Sequence, residues 1–116
     1  MTNNELKENI INFYKNKTIF TRPQGGTFFI NNIGYTKIGA DKIEGFQYSD
    51  KLKYVPFSTL FAYYEKVIKT NSLSREWFNS TFIEHIGRPC NYTTIGSIFE
   101  KLRIANYIGD GKYLKI

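Results

Sequence analysis

The chain contains one cysteine, one histidine, one tryptophan and three prolines among 116 residues. A lone Cys90 closes no intramolecular disulfide, which fits a reducing compartment. One His and one Cys are also too few for a zinc site built from those residue types. No apolar run approaches the ~20 residues of a membrane-spanning helix. The start, Met1-Thr2-Asn3-Asn4-Glu5, lacks the apolar centre of a signal peptide. A cytoplasmic protein without a membrane partner is therefore expected. Blocks of like charge are missing too. Residues 1–56 carry eight Lys/Arg and five Asp/Glu, and residues 57–116 carry the same numbers, so no charged tail is available as a tether. There is no internal repeat and no low-complexity segment.

What is present is aromatic. Ten Phe and nine Tyr raise the aromatic fraction to 17%, within a hydrophobic fraction of 41%. That is enough apolar area for a packed core and excludes a disordered chain. The length suits one compact domain with two lobes. The net charge of +6 and a pI near 9.4 favour polyanionic partners, nucleic acid first. Abundant Lys, Asn, Ile and Tyr point to an AT-rich genome, and with the small size to a phage or mobile element.

The expected fold class is α+β: an N-terminal helix and a small antiparallel β meander (1–56), then a three-helix lobe (57–116). Leu6, Ile10, Phe13 and Tyr14 form one stripe of a helix over 5–14, with Asn3 or Asn4 as its cap and Asn16 as its stop. Strand candidates are 18–21, 27–30, 33–38, 42–48 and 52–55, which predicts a sheet of three to five strands. Arg22-Pro23-Gln24-Gly25-Gly26 reads as a turn, because it lacks the Gly-Lys-Ser/Thr ending of a phosphate loop. Thr27-Phe28-Phe29-Ile30 carries adjacent rings. One must face the core and the other outward or under a helix. Such a strand can stack bases, although core use is the more common fate of aromatic area.

After Pro56, helical periodicity returns. Phe57, Leu60, Phe61, Tyr64, Val67 and Ile68 share a stripe, with Ser58 as a cap candidate. Ser74 caps a helix to about Ile86, with Trp77, Phe78, Phe82 and Ile86 inward. Gly87, Arg88 and Pro89 break it. Asn91 caps a helix to about Leu102, with Ile95, Ile98, Phe99 and Leu102 inward. Then 106–108, Gly109-Asp110-Gly111 and 113–116 read as strand, tight turn, strand.

The order helix (58–70), helix (74–86), recognition-type helix (91–102) and hairpin (105–116) resembles the winged helix-turn-helix superfamily. The short hairpin turn departs from the usual wing. The resemblance implies a major-groove helix flanked by a wing. With the apolar stripe inward, Thr93, Thr94, Ser97 and Glu100 become the candidates for base edges. Arg88, Tyr92, Lys101, Arg103, Lys112 and Lys115 become the candidates for phosphates. Double-stranded DNA is the expected partner, bound by a small regulator or recognition module without a cofactor. A homodimer joined through the β meander would present two such helices to a two-fold site.

The alternative partner is a protein, with the lobe acting as a scaffold for an inhibitor and Tyr35, Tyr48 and Tyr54 as anchors. Enzyme chemistry is not expected. His85 and Cys90 lack a third orienting group. Asp41, Glu44 and Asp50 lack a Lys at strand spacing of the kind that metal-dependent nucleases use.

Overall fold

Thr2 starts the first helix through a reciprocal cap. Its Oγ1 accepts from the Glu5 N–H at 3.1 Å, and the Glu5 carboxylate accepts from the Thr2 N–H at 3.1 Å. Two donors that a helix start leaves open are thereby satisfied. The same bonds hold the Glu5 carboxyl below its usual pKa. Helix α1 spans Asn3–Lys15, so Thr2, not Asn3 or Asn4, is the cap. Leu6 and Ile10 are buried, Phe13 is half-buried and Tyr14 is exposed, a narrower stripe than the sequence suggests. Asn16 ends the helix as expected. Lys17 then takes φ 51°. Its N–H donates to the Tyr14 carbonyl at 3.2 Å, and the Thr18 N–H donates to the Phe13 carbonyl at 3.0 Å. This paired closure usually has glycine where Lys17 stands.

The computed structural model describes residues 1–38, 41–48, 53–81 and 90–116. Over these the chain is α+β, and it divides into two compact units. One is Met1–Ile19 with Thr27–Phe61, and the other is Phe20–Gly26 with Ala62–Ile116. The short strand β1 (Ile19–Thr21) carries the chain out of the first unit into the turn that opens the second.

In the first unit, β2 (Thr27–Ile38), β3 (Asp41–Tyr48) and β4 (Lys53–Pro56) form an antiparallel meander in chain order. The runs 27–30 and 33–38, separate in the sequence reading, are one strand. Its register shifts between Ile30↔Tyr48 and Asn32↔Gln47, a β-bulge at Asn31. Helix α1 packs on β2. Alternation along β3 buries Phe46 and Tyr48 on one face, and Glu44 on that face is half-buried. Phe28 meets Tyr48 edge-on at 5.7 Å between ring centroids, and Phe46 meets Phe57 at 6.1 Å. Such pairs add about 0.5–1.5 kcal/mol each beyond the area they bury. Lys7 Nζ lies 2.8 Å from both Glu44 carboxylate oxygens and 5.3 Å from the Phe57 ring centroid. Glu44 therefore does have a Lys partner, supplied by a helix and not at strand spacing.

Helix α2 (Phe57–Thr70) begins directly after Pro56, so Ser58 lies inside it and not at its cap. Its last two turns belong to the second unit. There β5 (Ser72–Ser74), α3 (Arg75–Thr81), α4 (Cys90–Lys101), β6 (Ala105–Gly109) and β7 (Lys112–Lys115) follow. The strands form a second antiparallel sheet in the order β5-β7-β6. Strand β5 had no counterpart in the sequence reading. Ser74 caps α3 as expected, its Oγ accepting from the Trp77 N–H at 3.1 Å. The expected extension to Ile86, with Phe82, His85 and the Gly87-Arg88-Pro89 break, lies outside the described residues. Asn91 is buried within α4 and is not its cap. The hairpin is as expected. Asp110 (φ 53°) and Gly111 (φ 70°) are the two left-handed residues between the partners Gly109 and Lys112, the geometry of a type I′ turn.

An aromatic cluster fills this unit. Tyr63 meets Trp77 at 5.0 Å and Tyr92 at 6.2 Å. Tyr92 meets Phe78 and Tyr113, each at 5.6 Å, and Tyr113 meets Tyr107 at 5.2 Å. Ile95, Ile98 and Phe99 are fully buried, as their stripe predicts.

Candidate nucleic-acid interface

Helix α4 was expected to turn one polar face to solvent, and it does not. Thr94 is fully buried, Ser97 is 4% exposed and Thr93 is 6% exposed. The cause is the chain's own 20–26 segment. That segment is tied off by the Arg22 N–H donating to the Gly26 carbonyl at 2.7 Å and the Gly25 N–H donating to the Arg22 carbonyl at 2.9 Å. This is the turn expected from Arg22-Pro23-Gln24-Gly25-Gly26. From it the Arg22 guanidinium donates to Thr93 Oγ1 at 3.0 Å and to Thr94 Oγ1 at 2.7 Å. Ser97 Oγ instead donates back to the Thr93 carbonyl at 2.8 Å. Phe20 and Thr21 join Ser97, Glu100 and Lys101 around a cleft of about 280 Å³. The assignment of Thr93, Thr94 and Ser97 to a solvent face is therefore corrected. Their hydroxyls are occupied, and no base edge reaches them in this conformation. Glu100 is half-buried and is the one base-edge candidate with an open side.

Tyr92 is corrected for a similar reason. Its ring is buried, and its hydroxyl donates to the Gly111 carbonyl at 2.7 Å. Burial pushes its phenol pKa up, partly opposed by Arg75, whose guanidinium lies 4.9 Å from the ring centroid. Tyr92 thus anchors the hairpin turn from beneath, and the Tyr107 hydroxyl accepts from the Gly111 N–H at 3.1 Å. Of the candidate anchors for a protein partner, Tyr35 is 69% exposed, while Tyr48 and Tyr54 are buried. Tyr54 donates to the carbonyls of Ile43 and Gly34.

Lys101, Arg103, Lys112 and Lys115, the remaining phosphate candidates among the described residues, are exposed. Lys101 ends α4. Arg103 (φ 59°) sits at the left-handed position beyond it, fixed by the Ile104 N–H donating to the Phe99 carbonyl at 2.8 Å. Basic residues here also complement the negative end of the helix dipole. Lys112 and Lys115 lie on β7, and the Ile116 N–H donates to the Ile104 carbonyl at 3.0 Å, which brings the end of β7 beside Arg103. The structure thus gathers Lys101, Arg103 and Lys115 at one end of the hairpin, with Lys112 near the turn. Arg88 lies outside the described residues. Ile108, Leu114 and Ile116 are exposed on the same hairpin.

Among the described residues no group of three His, Cys, Asp or Glu side chains could hold a metal ion, and no helix is long and apolar enough to cross a membrane. Comparison with protein-family models, curated proteins and solved structures yields no match.

Proposed function

We infer that residues 57–116 are a winged helix-turn-helix module that binds duplex DNA through its phosphate backbone, in a small regulator or recognition module. The observation that carries this reading is the element order of the second unit. A helix, strand, helix, helix and two strands, with sheet order β5-β7-β6, put a hairpin beside the end of α4, and that helix end and hairpin carry the exposed cations Lys101, Arg103, Lys112 and Lys115. Lys101, Arg103, Lys112 and Lys115 contact phosphates in this reading. Base readout by Thr93, Thr94 and Ser97 is not part of it. Binding is then electrostatic and weakly dependent on sequence.

A second reading has its own support. The covered face of α4, together with exposed Ile108, Leu114 and Ile116, suits a protein-interaction module or an inhibitor from a mobile element.

Fluorescence anisotropy against a random duplex pool decides between them. DNA binding predicts affinity that falls steeply with salt. The double substitution Lys101→Ala/Arg103→Ala should weaken binding to all sequences alike and flatten the log–log salt slope by about 1.8, two phosphates' worth. Full affinity in that double variant would remove this docking surface. No retention at low salt, with a protein co-purifying, would favour the second reading.

A further inference from the structure

The first unit carries a pocket that the duplex-binding reading does not use. Its volume is about 560 Å³, within the usual range for small-ligand sites. Tyr14, Lys15 and Lys17 line it from the end of α1, and Phe29, Ile30 and Asn31 line it from β2. Three features of this lining point the same way.

The first is the pair of rings. The adjacent residues Phe28 and Phe29 were expected to divide between core and surface, and they do. Phe28 is 3% exposed against Tyr48, whereas Phe29 is 38% exposed and faces the pocket together with Tyr14 at 37%. Exposed aromatic area is costly unless something covers it. The second is charge. Lys15 and Lys17 bring two ammonium groups, and among the described residues no carboxylate lines the pocket and neither lysine forms an ion pair. The third is the backbone. The β-bulge at Asn31 breaks the β2–β3 register at the pocket wall. Bulges are over-represented beside functional sites, where they re-aim a side chain. The amide side chain of Asn31 adds a donor and an acceptor at that point.

We propose that this pocket binds one nucleotide, with its base against Phe29 and Tyr14 and its phosphate between Lys15 and Lys17. A planar ring bearing an anion matches two aromatic faces beside two cations. The nucleotide is either free or one unit of a single strand, since both offer the same base and phosphate.

The test is chemical-shift mapping by NMR on the full chain, titrated separately with AMP, adenosine, inorganic phosphate and a single-stranded oligodeoxyadenylate. AMP should shift the resonances of Tyr14, Lys17 and Phe29, and adenosine or phosphate alone should bind more weakly. Phe29→Ala should lower AMP affinity about 5- to 150-fold, the range for losing one stacking face. Lys15→Gln with Lys17→Gln should weaken AMP and leave adenosine unchanged. An oligonucleotide that binds tighter than AMP identifies a single strand as the occupant, and equal affinity identifies the free nucleotide. No shift at about 10 mM AMP, far above the Kd of a specific site, would overturn the proposal. So would shifts located elsewhere, or an unchanged affinity in Phe29→Ala. Mapping on the wild-type chain stands even if a variant folds poorly. AMP is read by chemical shift and duplex DNA by anisotropy, so the two readings fail separately.

Discussion

Gly96 lies in the middle of α4, and a Cβ built there would sit 2.1 Å from Tyr113 Cζ and 2.5 Å from both Cε2 and Oη. An interior glycine normally costs a helix about 1 kcal/mol relative to alanine, so Gly→Ala is usually stabilising. Here the overlap dominates. Tyr113 is fully buried and has Tyr92 and Tyr107 against its ring, so it has nowhere to retreat. Overpacking of this kind costs about 1–3 kcal/mol and occasionally more. Gly96→Ala should therefore lower the midpoint of urea unfolding, with a net loss of up to about 2 kcal/mol once the helix-propensity gain is subtracted. A midpoint at or above wild type would mean that Tyr113 is free to shift. The same glycine bears on what the sequence revealed. Thr93, Thr94 and Ser97, on the face assigned to solvent, are small residues as Gly96 is, and small residues are also what a face needs when another segment approaches closely. Hydrophobic periodicity does not separate the two cases, because it registers only the apolar stripe.

The elements make the same point on a larger scale. The caps of α1, α2 and α4 were misplaced and β2 was read as two runs, but these three helices, strands β3 and β4 and the Asp110-Gly111 turn were legible, because each is written in local periodicity or turn chemistry. Strand β5 was not. It is three residues long, and its partners Lys112, Tyr113 and Leu114 lie about forty positions away in the chain. The cover over α4 was likewise illegible. The 20–26 turn was foreseen as a turn, but nothing local told that Arg22 would reach Thr93 and Thr94. That contact is testable. Arg22→Met keeps much of the side-chain length and removes the guanidinium donors. The loss of hydrogen bonds from a charged donor costs about 1.5–3 kcal/mol. Amide exchange at Thr93, Thr94 and Ser97 should accelerate accordingly. Unchanged exchange at these three amides would show that the turn does not hold the face closed. Tyr14 and Phe29 were half-legible in the same sense. The adjacent Phe28 and Phe29 suggested a buried and an outward ring on β2, but Tyr14 was expected on the inward stripe of α1, and nothing local told that a helix end and a bulge would converge on the outward ring.

Over the whole molecule, the buried tyrosines set an alkaline limit on stability. Tyr92 and Tyr113 are both fully buried, and burial raises both phenol pKa values above the ordinary 10.0. For Tyr113, the charges of Glu100, Tyr92 and Tyr107 act in the same direction, with Arg75 partly opposing. A phenol is neutral when protonated, so a raised folded-state pKa means that the native state holds its proton longer than the unfolded chain. The unfolded state binds fewer protons above about pH 10, and stability falls as pH rises from there. The contribution is fully present below that pH and is lost on the way up to the folded-state values. Each phenol adds a slope of about 1.4 kcal/mol per pH unit once the unfolded form is ionised, so the two together would give about 2.7. Urea unfolding at pH 8 and pH 11 should show a drop of that order. Tyr113→Phe separates the contributions, because Tyr113 Oη is buried with no hydrogen-bond partner among the described residues. Removing it frees no other group, so the variant should match or exceed wild-type stability at pH 8 and lose about half of the alkaline slope. Tyr92→Phe should instead cost stability at pH 8, because its hydroxyl donates to Gly111 in the hairpin turn. A stability profile that stays flat from pH 8 to pH 11 in the wild type would mean that these phenols reach solvent, and the packing of α4 against the hairpin would have to be redrawn.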